Sequence, residues 1–195
     1  MKKLIITLII LISSCVNAST LDLHSGFKVL LPTHSYDEVN TYGLSSLNVI
    51  GADILLLSSY DNSRISVYNM TTLNKPVIDI LLLSTSNNSI VNFYEGKVNI
   101  IDLKDSSKVY LYAAQNLNTI SYVETDPFEL HIFGKYFSYN SSTNYLRGRF
   151  LDDTVFNIYM RSTYPHNNVI LHIVPEPATI IFLLVGLAVA RITRI

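Results

Sequence analysis

The hexamer Asp-Ile-Leu-Leu-Leu-Ser occurs twice, as Asp53 to Ser58 and again as Asp79 to Ser84, 26 positions apart. Each copy runs through a polar corner into an alternating segment. The first corner is Tyr60-Asp61-Asn62-Ser63, before Arg64-Ile65-Ser66-Val67-Tyr68; the second is Ser86-Asn87-Asn88-Ser89, before Ile90-Val91-Asn92-Phe93-Tyr94. Weaker copies follow at Asp105-Ser106-Ser107, before Lys108-Val109-Tyr110-Leu111-Tyr112, and at Asp126-Pro127, before Phe128-Glu129-Leu130-His131-Ile132. The corner residues Asp61, Asn87, Asp105 and Asp126 recur at intervals of 26, 18 and 21. Repeats of about this length, with short strands and polar corners, mark coils that bury their apolar side chains only by stacking on one another. The expected fold is therefore all-β, a right-handed β-solenoid-like repeat region. A β-sandwich whose strands merely share composition is the alternative, because short strands at regular spacing also build sandwiches.

The pattern makes further demands. The hexamer is apolar on both strand faces and reads as a strand covered from both sides, whereas the next segment alternates Ile65 and Val67 inward with Ser66 and Tyr68 outward. Asn, Asp and Ser suit the left-handed backbone and local hydrogen bonds of a corner. Stacking places Asp61, Asn87, Asp105 and Asp126 in one column about 4.8 Å apart per step, where like charges repel unless hydrogen-bonded or separated by a neutral residue.

A net charge of -1 gives no basic face for nucleic acid and no acidic block for a cationic partner. A hydrophobic share of 49% supplies a core, and thirteen Tyr with abundant Val, Ile, Thr, Ser and Asn favour strands and polar turns.

Both ends read as addresses. Met1-Lys2-Lys3, an apolar stretch from Leu4 to Ile12 and then small residues follow the order of a secretory signal peptide, with cleavage expected between Ala18 and Ser19. Ile12-Ser13-Ser14-Cys15 also resembles a bacterial lipobox, which makes Cys15 a candidate lipidation site. With one cysteine in the chain, no intramolecular disulfide is available. At the other end Pro175-Glu176-Pro177 keeps the backbone extended, so a helix is expected to start after Pro177. The thirteen residues from Ala178 to Ala190 span about 20 Å as a helix, short of the roughly 30 Å hydrocarbon core. Arg191 and Arg194 favour the cytoplasmic side, which orients the segment with the body of the protein outside.

This last segment resembles a PEP-CTERM sorting signal: the Pro175-Glu176-Pro177 motif, Ala178-Thr179, an apolar helix and a basic tail. The resemblance implies an exosortase substrate of a Gram-negative bacterium that makes extracellular polysaccharide. Such a protein is held transiently in the inner membrane through residues 178–190, then delivered to the cell surface or extracellular matrix. The helix is shorter than usual in that family, and Ile192, Thr193 and Ile195 interrupt what is usually a run of arginines. Tyr60-Asp61-Asn62-Ser63-Arg64-Ile65-Ser66-Val67 and Lys104-Asp105-Ser106-Ser107-Lys108-Val109-Tyr110-Leu111 are similar to a repeat that many PEP-CTERM proteins carry. A closing unit is expected from Ile132 to Tyr139 and from Leu146 to Phe156. The second part reads as a hairpin of Tyr145 to Leu151 and Val155 to Arg161, turning at Asp152-Asp153. Where the family usually has Gly, Asp153 reaches positive φ at some cost, so the turn is expected to be loose. A last strand runs from Val169 to Val174.

The resulting organisation is a signal peptide over 1–18, a lead-in over 19–43, β-repeats over 44–139, a closing hairpin and strand over 140–174, and the sorting signal with its transmembrane helix over 175–195. No residue set reads as catalytic, no cofactor is implied, and His24, His34, His131, His166 and His172 lack metal-ligand spacing. The column Asp61, Asp105 and Asp126, with Arg64 and Lys108 nearby, is the one candidate for a β-helix polysaccharide lyase or hydrolase, and a corner ladder is the preferred account of it because these residues sit where turn chemistry needs them. Outward Tyr68, Tyr94, Tyr110 and Tyr112 suit either sugar stacking or a ladder of rings. The function expected is that of a non-catalytic surface or matrix protein with exosortase, the export machinery and exopolysaccharide as its partners.

Overall fold

The computed structural model describes residues 18–31, 34–68, 78–123, 126–161 and 167–175. Every regular element among them is a strand. In chain order these are β1 (Ala18–Leu23), β2 (Phe27–Leu30), β3 (Ser35–Thr41), β4 (Ser46–Ile50), β5 (Asp53–Ser59), β6 (Arg64–Tyr68), β7 (Asp79–Thr85) and β8 (Ile90–Phe93). There follow β9 (Lys97–Leu103), β10 (Lys108–Leu111), β11 (Thr119–Tyr122), β12 (Glu129–Asn140), β13 (Tyr145–Phe150), β14 (Val155–Met160) and β15 (Val169–Ile173).

The chain alternates between two faces. The first runs β1-β3-β5-β7-β9-β11-β14 and the second β2-β4-β6-β8-β10-β12, with β15 added on β12. All of these neighbours pair in parallel, giving a β-solenoid of about five turns. β1, β2 and β3 lie in the lead-in over 19–43 except that β1 begins one residue earlier, at Ala18, so stacking starts before the expected repeat region.

The two hexamers lie on each other in register, Leu56 on Leu82, Leu57 on Leu83 and Ser58 on Ser84. Inward residues form continuous columns. Val39, Leu57, Leu83, Ile101 and Ile120 line one face, and Leu47, Ile65, Val91, Val109 and Leu130 line the other; none has exposed surface. Burying each such aliphatic side chain contributes roughly 1.5 to 3 kcal/mol.

The hexamer is not covered from both sides. Leu55 is 49% and Leu81 44% exposed, while Ile54 and Leu57, like Ile80 and Leu83, are buried. Inward residues three apart cannot belong to a flat strand, in which inward positions recur every second residue. Two successive residues therefore point outward at a bend. Val98 and Ile101 repeat the spacing in β9, so the bend is itself stacked from coil to coil.

The corners stack as well. Asp61, Asn87 and Asp105 have φ of 56°, 56° and 53°, the left-handed conformation that Asn and Asp tolerate best after Gly. Their side chains join the coils: Gly43 N–H donates to Asp61 at 3.2 Å, Asn87 N–H to Asp105 at 3.1 Å and Asp105 N–H to Asp126 at 2.9 Å. Repulsion down the column is thus offset by backbone donors. Inside the corner, Ser45, Ser63, Ser89 and Ser107 are buried. Ser63 Oγ lies 2.8 Å from Ser59 Oγ and accepts from Thr41 Oγ1 at 3.0 Å, but the hydroxyls of Ser45 and Ser89 have no partner among the described residues.

The stack is closed differently at its two ends. At the last coil, β12 continues past β10 and turns back as β13 and β14, antiparallel, and β14 rejoins the first face beside β11. The hairpin matches the expected closing unit. The turn is bonded rather than loose as expected: Phe150 N–H donates to Thr154 O at 2.9 Å and Asp153 N–H to Phe150 O at 3.2 Å, with Asp153 at φ 71°. Gly148 is required by contact, since a Cβ there would lie 2.5 Å from both the Phe156 ring and the Tyr136 carbonyl oxygen. At the first coil, Lys28 occupies the register position of the inward column above Leu47. An inward charge on an edge strand opposes further strand addition.

Candidate functional site

Pleating sends every second residue of the second face outward, and parallel register repeats that residue type above itself. Tyr68, Tyr94, Tyr112, Phe133 and His172 form one such column. Successive ring centroids are 4.7, 4.9, 4.5 and 4.3 Å apart, with planes within 10° of parallel. The faces of Tyr94 and Tyr112 are thereby covered on both sides, and the surface presents ring edges. Burial, then the neighbouring Tyr68 and Tyr112, raises the Tyr94 phenol above the usual tyrosine value.

A polar row runs beside the ladder. Ser66, Asn92, Tyr110 and His131 share its register, and the Tyr110 and His131 rings stack at 4.5 Å. Here the last coils bring four titratable groups together. Lys108 Nζ donates to Glu129 at 2.6 Å, the other Glu129 oxygen is 3.2 Å from His131 Nε2, and His131 Nδ1 is 2.9 Å from His172 Nε2. The hydrogen bond to Glu129 raises Lys108, and bonds from Lys108 and then His131 lower Glu129. Burial, followed by His131, lowers His172. The arrangement is a hydrogen-bonded relay from an ammonium through a carboxylate to two imidazoles, embedded in stacked rings. Sequence spacing hid it, because His131 and His172 are 41 residues apart. Outward parity in the strands of one face was the available signal.

The remaining candidates are spread over the fold. His24 stacks on Tyr42 at 4.7 Å, and Tyr42 on Tyr60 at 4.9 Å. His34 Nδ1 accepts from Leu31 N–H at 2.9 Å. Asp61, Asp105 and Asp126 are the corner ladder, and Lys108 belongs to the relay. On the bend of the first face, Leu55 and Leu81 lie with Tyr36, Asp37, Asp53 and Asp79 along a groove of about 430 Å³, where burial and then Asp79 raise Asp53.

Pro175 is exposed, two residues after the end of β15. Glu176, Pro177, Arg191, Arg194, Cys15 and His166 lie outside the described residues, as do the segments expected to be the transmembrane helix and most of the signal peptide. Among the described residues no helix is long and apolar enough to cross a membrane, and no group of three or more His, Cys, Asp or Glu is placed to hold a metal ion. Comparison with protein-family models, curated proteins and solved structures found no match for this chain.

Proposed function

We propose that this chain is an exported, non-catalytic surface or matrix protein that an exosortase sorts through Pro175-Glu176-Pro177, and that it associates with extracellular polysaccharide. The observation that carries the reading is the order at the C-terminus: a last strand, the Pro-Glu-Pro motif directly after it, an apolar run and a basic tail. The fold accords with it. A stacked solenoid is held together by repeated contacts along its length and needs no disulfide, which suits a chain bearing an export signal and a single cysteine. The side chains of the corner column are spent on the fold. A polysaccharide lyase or hydrolase needs carboxylates free to meet substrate, whereas those of Asp61, Asp105 and Asp126 accept hydrogen bonds from backbone N–H groups of neighbouring coils.

Fractionation of cells with and without exosortase tests the sorting. The protein is expected to collect in the inner membrane only when the enzyme is missing; equal inner-membrane retention in both strains would rule the reading out. Reducing-sugar release from native matrix that disappears in Asp105→Asn and Asp126→Asn variants would establish the enzymatic alternative instead.

A further inference from the structure

β15 is the last rung of the second face and is held from one side. Val169 to Ile173 pair with Leu130 to Gly134 of β12, and among the described residues no strand pairs with the opposite edge. Hydrogen bonds tie the two ends of this ladder: Leu130 N–H donates to Asn168 O at 2.8 Å and Val174 N–H to Gly134 O at 2.9 Å. Val169 is buried and Leu171 packs partly buried against the core, but Ile173 is 65% exposed. The other anchor is His172, stacked on Phe133 and joined to His131.

We propose that His131 and His172 form a pH-operated latch: it holds β15 on β12 while the pair carries no more than one extra proton, and uptake of a second releases the strand together with the chain that follows it.

The proton arithmetic of the two rings requires this. The Glu129 carboxylate can only accept, so His131 Nε2 carries a hydrogen. In the neutral pair His131 Nδ1 is then a lone pair, and His172 Nε2–H donates to it. One added proton leaves the contact intact: it sits on His172 Nδ1 while Nε2–H still donates to His131 Nδ1, or it sits on His131 Nδ1, which then donates to His172 Nε2 once the His172 hydrogen has moved to Nδ1. A second proton puts N–H groups on both facing nitrogens and two cations in a 2.9 Å contact, which no tautomer repairs. The contact is therefore lost only at the second proton.

The surroundings set the direction. From β10, Lys108 and Tyr110 face the site; from β12, Glu129 and His131 do; β15 contributes only His172. Glu129 compensates one positive charge on His131 but is shared with Lys108, so among the described residues the second imidazolium has no counter-ion of its own. Tyr112 and Phe133 add stacked rings to the site. In agreement, the His172 ring is held below the usual histidine value by burial and by His131. A group depressed in the closed state binds its proton more tightly once released, so the latch is fully closed above the ordinary histidine value near 6.5 and opens as the pH falls below it. The mechanism does not depend on sorting. If the chain is sorted, the latch controls how much extended backbone precedes Pro175.

Hydrogen exchange of the full chain in detergent, at about pH 7.5 and about pH 5 and corrected for intrinsic amide rates, tests this. Amides of 169–173 are expected to exchange about tenfold faster or more at the lower pH, since each extra proton bound on opening allows up to about tenfold per pH unit. Amides of β5 and β7 serve as the reference and should not change. His172→Phe keeps a ring on Phe133 without a titrating group and should remove the response. His131→Gln, which still accepts from His172 Nε2–H, should blunt it and serves if the first variant fails to fold. Unchanged β15 protection in the parent, an undiminished response in the variant that folds, or independent titration of His131 and His172 in nitrogen-15 spectra overturns the proposal.

Discussion

The side-chain amide of Asn87 donates to Asp61 at 3.1 Å, while the Asn87 backbone N–H donates to Asp105 at the same distance. One neutral residue thus separates two carboxylates of the corner column and bonds to both. Asn87→Asp keeps a residue that tolerates the left-handed conformation but removes the donor and sets four like charges, at 61, 87, 105 and 126, in succession. We expect a loss of about 1 to 2 kcal/mol near neutral pH, from one hydrogen bond and the added repulsion. Denaturant melts at low and high salt check it: the loss should shrink as salt rises, and a variant as stable as the parent at low salt would show that the column is electrostatically silent.

Leu57 and Leu83 should be equivalent. Each lies in the core column without exposed surface, and replacement of either by Asp buries a charge with no partner. The expected cost is well above the roughly 0.5 to 3 kcal/mol of an ordinary point mutant. Leu55→Ser and Leu81→Ser, at the exposed bend, and Ser66→Lys, in an outward column, should each stay within about 0.5 kcal/mol of the parent. Circular dichroism melts of the five variants separate the classes, and collapse on changing Leu55 or Ser66 would show that the faces are wrongly assigned.

Ser63 and Ser89 occupy the same place in successive coils and should respond in opposite ways. Ser63→Ala breaks contacts with Thr41 and Ser59 and is expected to cost about 1 to 3 kcal/mol. Ser89→Ala deletes a buried hydroxyl that has no partner among the described residues, and is expected to be neutral or stabilising. Equal costs, measured by chemical denaturation, would mean that Ser89 is satisfied by solvent.

The tyrosine ladder predicts an alkaline transition. Tyr94 is raised above its ordinary value because burial and its ring neighbours disfavour the phenolate. Its contribution is therefore complete below the unfolded value near 10 and is lost as pH rises through the higher folded value. Tyr94→Phe, which retains the stacking, should move thermal unfolding above about pH 10 to a higher temperature relative to the parent. Tyr94→Ala removes two ring contacts and should cost about 1 to 3 kcal/mol at neutral pH. Identical alkaline behaviour in the parent and in Tyr94→Phe would remove the phenol from the account.

Asp153 combines a strained turn with ion pairs to Lys135 at 2.7 Å and Arg149 at 3.5 Å. The bond from Lys135, above all, lowers its carboxyl, so the gain is present above the ordinary aspartate value near 3.8 and is lost as pH falls through the lower folded value. Asp153→Gly relieves the backbone and forfeits the pairs. Relative to the parent, the variant should therefore be most stable in acid, and melts along a pH series that show no such trend would dismiss the ion pairs as contributors.

Much of this architecture was determined by local chemistry in the chain. Asp61, Asn87, Asp105 and Ser63 specify corners because their short polar side chains suit left-handed backbone and nearby donors, and the alternation from Ile65 to Tyr68 assigns inward and outward faces without reference to any distant residue. The hairpin from Tyr145 to Met160 was legible for the same reason. Only the tertiary structure decided what depends on which coil lies above which. Leu55 and Leu81 point outward because the strand bends between two core contacts, a shape set by the neighbouring coils rather than by leucine. His131 meets His172 because β15 returns to β12, bringing together residues 41 apart in the chain. Composition and period constrain the repeat unit, but the partner of an outward side chain is set by stacking order, which no short-range pattern encodes.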